Sequence, residues 1–213
     1  MIVNSAYTPS DKMPERVVLA SASPRRRLLM DSLGLRIPVE IVASDADETT
    51  PDEWLPAKVV EQLAVRKAEA VRGRILSEGG MQPSAVIVGA DTIVVLNGDK
   101  LGKPADAEEA AAMLNRLQGK PHEVFTGVAL IDLHSGRMRA ESRVTRVHMK
   151  PLDAARIERY IASGEPKDKA GSYGIQGLGA VLVDRIEGCY FNVVGLPVSL
   201  LAELLADFGV ETI

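Results

Sequence analysis

Apolar positions recur along the chain in two rhythms, one continuous or of period two and one near 3.6, and their alternation predicts an α/β order of elements. Val17 to Ala20 is an unbroken apolar run, which predicts a short buried strand. It leads through Ser21-Ala22-Ser23-Pro24 into a helix with Ser23 as N-cap and Pro24 in the first helical position. Leu28, Leu29 and Leu33 supply that helix's apolar face, and Gly34 stops it. A strand near Ile37 to Val42 precedes an acidic, proline-containing loop from Ser44 to Pro56. From about Ala57 to Leu76, six apolar residues beginning with Val59 and ending with Ile75 fall on one arc at ~100° per residue, predicting a long amphipathic helix.

Ala85 to Val88 reads as a fully apolar strand, broken at Gly89-Ala90-Asp91 and resumed over Thr92 to Leu96 before the hairpin signal Asn97-Gly98. A helix begins at Asp106, with Glu109 completing a capping-box pattern, and ends at Gly119. Two strands, Phe125 to Leu133 and Met138 to Met149, flank His134-Ser135-Gly136, and Leu152 to Ala162 is a short amphipathic helix. A glycine-rich loop over Lys167 to Gly179 leads to a strand at Ala180 to Ile186, a turn at Glu187-Gly188, a strand at Tyr190 to Val194 and a C-terminal helix from Pro197. Residues 1–15 read as a loose leader and 16–213 as a single domain, large enough to bury ~70% of its unfolded surface.

Composition narrows the class. The chain has 213 residues, 46% hydrophobic and 25% charged, which excludes disorder, collagen and coiled coil as global answers. Twenty-five Lys and Arg against 29 Asp and Glu leave a net charge of −4, so nucleic acid, which demands a basic excess, is not an expected partner. A single cysteine, Cys189, and three histidines without zinc-site spacing exclude disulfide frameworks and Cys/His metal sites. Polar Met1 to Pro14 has no apolar targeting core and no apolar run approaches a membrane span, so the expectation is a cytoplasmic protein with no membrane partner.

Four departures from the pattern carry candidate chemistry. Arg25, Arg26 and Arg27 occupy the first turn of a helix, where the backbone's partial positive charge disfavours cations by ~0.3 to 1 kcal/mol each. Ser21, Ser23 and the arginine forks around that helix start form a phosphate cradle, the alternative being a solvated basic turn. Lys67 falls on the apolar arc of the long helix, where it must snorkel outward or meet a buried anion. Asp91 interrupts apolar strand segments, which is costly unless it is paired, binds metal or titrates; capping a bend at Gly89-Ala90 is the structural alternative. The loop Gly171 to Gly179 has four glycines that let backbone approach a ligand, and Gln176 offers a donor and an acceptor for a base edge. Its spacing fits neither the dinucleotide fingerprint nor the Walker loop, and a flexible hinge is the competing reading. With Lys103, these cations and the carboxylates Asp45, Asp47, Glu48 and Asp91 suggest a polyphosphate site using Mg²⁺ or Mn²⁺.

Leu19 to Arg26, Gly89-Ala90-Asp91-Thr92, Gly102-Lys103-Pro104 and Lys169 to Gly177 together resemble the motifs of the Maf family of nucleoside triphosphate pyrophosphatases, in the same order. The resemblance implies a two-lobed fold, similar to that of inosine triphosphatases, around an elongated mixed β-sheet with flanking helices and a cleft between lobes. It implies a usually dimeric cytoplasmic enzyme that uses a divalent cation to hydrolyse a nucleoside triphosphate to the monophosphate and pyrophosphate, a nucleotide-pool house-cleaning role. It places Asp91 as general base, Ser21, Ser23, Arg25, Arg26, Lys67 and Lys103 as phosphate contacts, and Glu48 with Asp91 as metal ligands. Arg25, Thr92 and Gln176 match the branch acting on dTTP and UTP. The alternative implied by the same family is a nucleotide-sensing regulator of septum formation with little catalysis.

Overall fold

The computed structural model describes residues 13–212, so the expected leader lies outside the described residues as far as position 12. In chain order the elements are β1 (Arg16–Leu19), α1 (Pro24–Asp31), β2 (Val39–Ile41), α2 (Pro56–Ser77), β3 (Ala85–Leu96) and β4 (Asp99–Leu101). There follow α3 (Ala107–Leu117), β5 (Pro121–Asp132), β6 (Met138–Met149), α4 (Ala154–Ala162), β7 (Val183–Glu187), α5 (Tyr190–Val194) and α6 (Val198–Asp207). Three short 3-10 turns connect α4 to β7.

The strands make one seven-stranded mixed sheet in the order β2-β1-β3-β5-β6-β7, with β4 paired to β3. β1 is parallel to both β2 and β3, and the remaining pairings are antiparallel. This bears out the α/β order read from the residues and the mixed sheet with flanking helices that the resemblance implies.

β3 is the spine, and its side-chain alternation divides the core. Ala85 and Ile87 pack with Val71 and Ile75 of α2, and Ile93 and Val95 pack with Val59 and Leu63 near that helix's start. On the opposite face Val86, Val88 and Ala90 meet α1 and α6, whereas Val94 and Leu96 meet α3 and α4. One face therefore carries a single long helix, and the other carries two groups of helices that part near the middle of β3. Asp91 and Thr92 lie at that parting.

Local chemistry matches the two caps that the sequence predicts and adds a third. The Ser23 side chain accepts from the Arg26 N–H with Pro24 in the first turn, Asp106 accepts from the N–H of Glu109, and Asp153, not singled out from the sequence, accepts from that of Arg156.

Four expectations are corrected. β3 runs unbroken through Gly89-Ala90-Asp91, each residue keeping a partner in β5, so Asp91 does not cap a bend. Gly89, and Gly127 opposite Asp91 in β5, serve α2 instead: an added Cβ would come within 2.0 Å of the Ala64 carbonyl oxygen and 2.3 Å of the Val60 carbonyl oxygen, respectively. Tyr190 to Val194 forms a helical turn, not a strand, because that turn buries Val194 and aims Asn192 at the Val124 carbonyl and Thr145 while leaving Tyr190 and Phe191 half-exposed. Tertiary packing overrides the β preference of these aromatic and branched residues. Ala180 to Leu182 belongs to a 3-10 turn, so β7 starts only at Val183. Leu28, expected on the apolar face of α1, is exposed.

Candidate active site

A cavity of about 830 Å³ opens where the helices part over β3, and every site residue predicted from the sequence borders it. Ser21 and Ser23 come from the β1–α1 turn, Arg25 and Arg26 from the first turn of α1, Glu48 from the acidic loop, and Lys67 from α2. Asp91 and Thr92 come from β3, Lys103 from the segment after β4, and Gln176 from the glycine-rich loop.

Lys67 is the hub. Its Nζ lies 2.5 Å from Asp91 Oδ1 and 2.7 Å from Glu48 Oε1, so it meets anions and does not snorkel to bulk solvent. The glycine pair beneath α2 permits this, since close seating of the helix at Ala64 brings the next residue turn, and Lys67 with it, down to the strand. Burial by itself raises the Glu48 pKa, but the Lys67 hydrogen bond and the charges of Lys67, Lys103 and Arg26 outweigh it and hold the group below the usual range. Glu48 is thus an anion at neutral pH.

On the opposite face of β3, Arg26 is held over Thr92. Its Nε donates to the Gly195 carbonyl at 2.8 Å and a terminal nitrogen donates to Thr92 Oγ1 at 3.1 Å. Burial lowers the Arg26 pKa, opposed by the charge of Asp91. Thr92 in turn shares a 2.9 Å hydroxyl contact with Thr126, which donates to the Asn192 carbonyl. Arg25 takes a different partner, Asp168 Oδ2 at 2.8 Å, across to the glycine-rich side of the cavity. The three arginines therefore part company: two enter the cavity, and Arg27 is exposed.

The acidic loop has no regular structure but is tied down. Arg66 donates to the Thr49 carbonyl at 2.6 Å, Arg74 to that of Ala43 at 2.6 Å, and Lys100 to that of Asp52 at 3.0 Å. Of its acids Glu48 and Asp52 border the cavity, whereas Asp47 is turned to Thr49. Among the described residues no cluster of three or more His, Cys, Asp or Glu is arranged to hold a metal by itself. Glu48 and Asp91, brought together on one ammonium, offer two carboxylates, hard oxygen donors of the kind that would suit Mg²⁺ or Mn²⁺.

The family model described as Maf-like protein matches residues 16–208. The chain belongs to the Maf family. Among curated relatives of this Maf protein, a dTTP/UTP pyrophosphatase of Pelotomaculum thermopropionicum is 51% identical over 92% of this chain and 97% of its own length. A dTTP/UTP pyrophosphatase of Desulforamulus reducens is 50% identical over 92% of this chain and 98% of its own. One of Gloeobacter violaceus is 47% identical over 92% and 97%.

Sequence reading missed several residues that shape this Maf site. Asp168 and Lys169 border the cavity beside Arg25, and Lys100 braces the acidic loop from its far side. Thr126 and Asn192 are fully buried behind Thr92. The only signal for them was a polar residue at an inward position of an apolar element, visible for Thr126 in β5 and hidden for Asn192 by the mistaken strand.

Proposed function

We propose that this protein hydrolyses dTTP and UTP to the nucleoside monophosphate and pyrophosphate. The observation that carries the reading is the pairing of Lys67 with both Asp91 and Glu48 in the cavity that also receives Arg25 and Arg26. A carboxylate beside a cradle of cations is suited to activating water against a bound polyphosphate. The names of the relatives support the substrate.

In this reading Ser21, Ser23, Arg25, Arg26 and Lys103 bind the phosphates, and Lys67 neutralises charge that develops on the pyrophosphate leaving group. Asp91 takes the proton of the water that attacks the α-phosphorus. Glu48 and Asp91 hold a divalent cation, which when bound adds positive charge against the triphosphate. Thr92 and Gln176, with Arg25, meet the nucleoside end. The working species is taken as a cytoplasmic homodimer acting in nucleotide-pool house-cleaning.

Incubation with dTTP and UTP and chromatography of the products tests this directly. Equal yields of monophosphate and pyrophosphate are expected; diphosphate with orthophosphate would overturn it. A nucleotide-sensing regulator of septum formation is not favoured, because the relatives carry pyrophosphatase names and Asp91, Lys67 and Lys103 all border one cavity.

A further inference from the structure

The glycines of the loop from Gly171 to Gly179 are packed against their own chain. A Cβ on Gly177 would lie 2.6 Å from Glu165 Oε2, and Gly177 also has a φ of +64° that side chains resist. On Gly179 a Cβ would lie 2.6 Å from the Tyr160 hydroxyl and 2.3 Å from the Gly174 carbonyl oxygen. The space these glycines leave is filled by two residues that do not border the cavity, Tyr160 at the end of α4 and Glu165 in the turn after it.

These two side chains take hold of the loop at both ends. The Gly174 N–H donates to the Tyr160 hydroxyl at 3.0 Å, and that hydroxyl donates to Glu165 Oε1 at 2.9 Å. The carboxylate also accepts the Leu178 N–H on Oε2 and the Gly179 N–H on Oε1, each at 2.9 Å. Gln176, the cavity-lining residue, sits midway between these anchors. Bonds to a carboxylate are about twice as strong as neutral ones, and this one accepts three.

We infer that Tyr160 and Glu165 are a positioning pair that sets where the Gln176 carboxamide meets the base of a bound nucleotide. The inference rests on the cavity being a nucleotide site. Ionised Glu165 is the form the pair requires. Burial raises its pKa, but the N–H groups of Gly179 and Leu178, the Tyr160 hydroxyl and the charge of Lys169 together hold it below the usual range. Tyr160 is pushed upward, chiefly by burial, and remains a phenol that can donate. With the loop so clamped, selectivity among bases depends on two residues that need not touch the nucleotide.

The test is a cycle of steady-state kinetics on Glu165→Ala, Gln176→Ala and their combination, with Glu165→Gln and Tyr160→Phe as milder variants, using dTTP, UTP and CTP. Misplacing a positioned group should raise KM for dTTP by about tenfold and erode preference over CTP while kcat changes by less than about threefold. The double variant should be no worse than about twofold beyond either single one, because both act through one contact. Glu165→Gln, which keeps an acceptor oxygen, should lie between wild type and Glu165→Ala. Additive losses, or Glu165→Ala and Tyr160→Phe with unchanged KM and selectivity, would overturn the assignment. Should the wild-type protein turn over none of these nucleotides, the functional reading fails by itself. Amide exchange then decides the clamp: faster exchange at Gly174, Leu178 and Gly179 in Glu165→Ala supports it, and unchanged exchange refutes it.

Discussion

Lys67 Nζ stands 2.5 Å from Asp91 Oδ1, joining the middle of the long helix α2 to the middle of β3. Both side chains are largely withdrawn from water, at 13% and 10% exposure, so each is the other's main compensation. The pairing holds the Asp91 carboxylate at the wall of the cavity, beside Lys67 and Glu48.

Asp91→Asn removes the proton acceptor and keeps the shape. Turnover of dTTP should fall by ~10² or more with triphosphate binding largely retained. Kinetics beside calorimetric titration of a non-hydrolysable analogue would check it, and an undiminished kcat would take Asp91 out of the role.

The reading of Glu48 and Asp91 as a metal pair predicts that chelation abolishes pyrophosphate release and that Mg²⁺ or Mn²⁺ restores it. Glu48→Gln should then raise the metal concentration needed for half-maximal rate by about tenfold. Full activity in excess chelator would contradict the pair.

Gly89 and Gly127 make a prediction about stability. Alanine at either position drives a methyl into the α2 backbone and should cost about 3 kcal/mol or more, since helix or strand must shift. Gly73 lies on the same helix with nothing within 4 Å of an added Cβ, so Gly73→Ala should stabilise by ~0.5 to 1 kcal/mol. Denaturant titration of the three variants checks both signs.

His122 is buried with Nε2 2.7 Å from the Tyr173 hydroxyl, and burial lowers its pKa to about 4. Above the unfolded value of 6.5 both states are neutral and stability is independent of this group. As pH falls from 6.5 to about 4 only the unfolded chain gains the proton, so stability should decline by up to about 3 kcal/mol and then level. His122→Gln should flatten that part of the stability profile; a slope that persists in the variant would assign it to other groups.

Much of this site was legible because its residues break local rules: cations at a helix start, a lysine on an apolar arc, an aspartate among valines. Such violations need compensation, and the fold brings the violators to one cavity, where Lys67 answers Asp91 and Glu48. What stayed hidden depends on distant backbone. Gly89 reads locally as a strand break, and only the seating of α2 on the sheet shows why it is glycine. Tyr190 to Val194 has strand composition, and the buried partners of Asn192 make it a helical turn. Asp168 carries no local anomaly, and its relation to Arg25 spans 143 positions.

In the proposed reaction, water activated beside Asp91 attacks the α-phosphorus. Hydrolysis of dTTP in heavy-oxygen water, with mass spectrometry of both products, tests it most directly. Label is expected in the nucleoside monophosphate and none in pyrophosphate; label in pyrophosphate would rule out attack at the α-phosphorus.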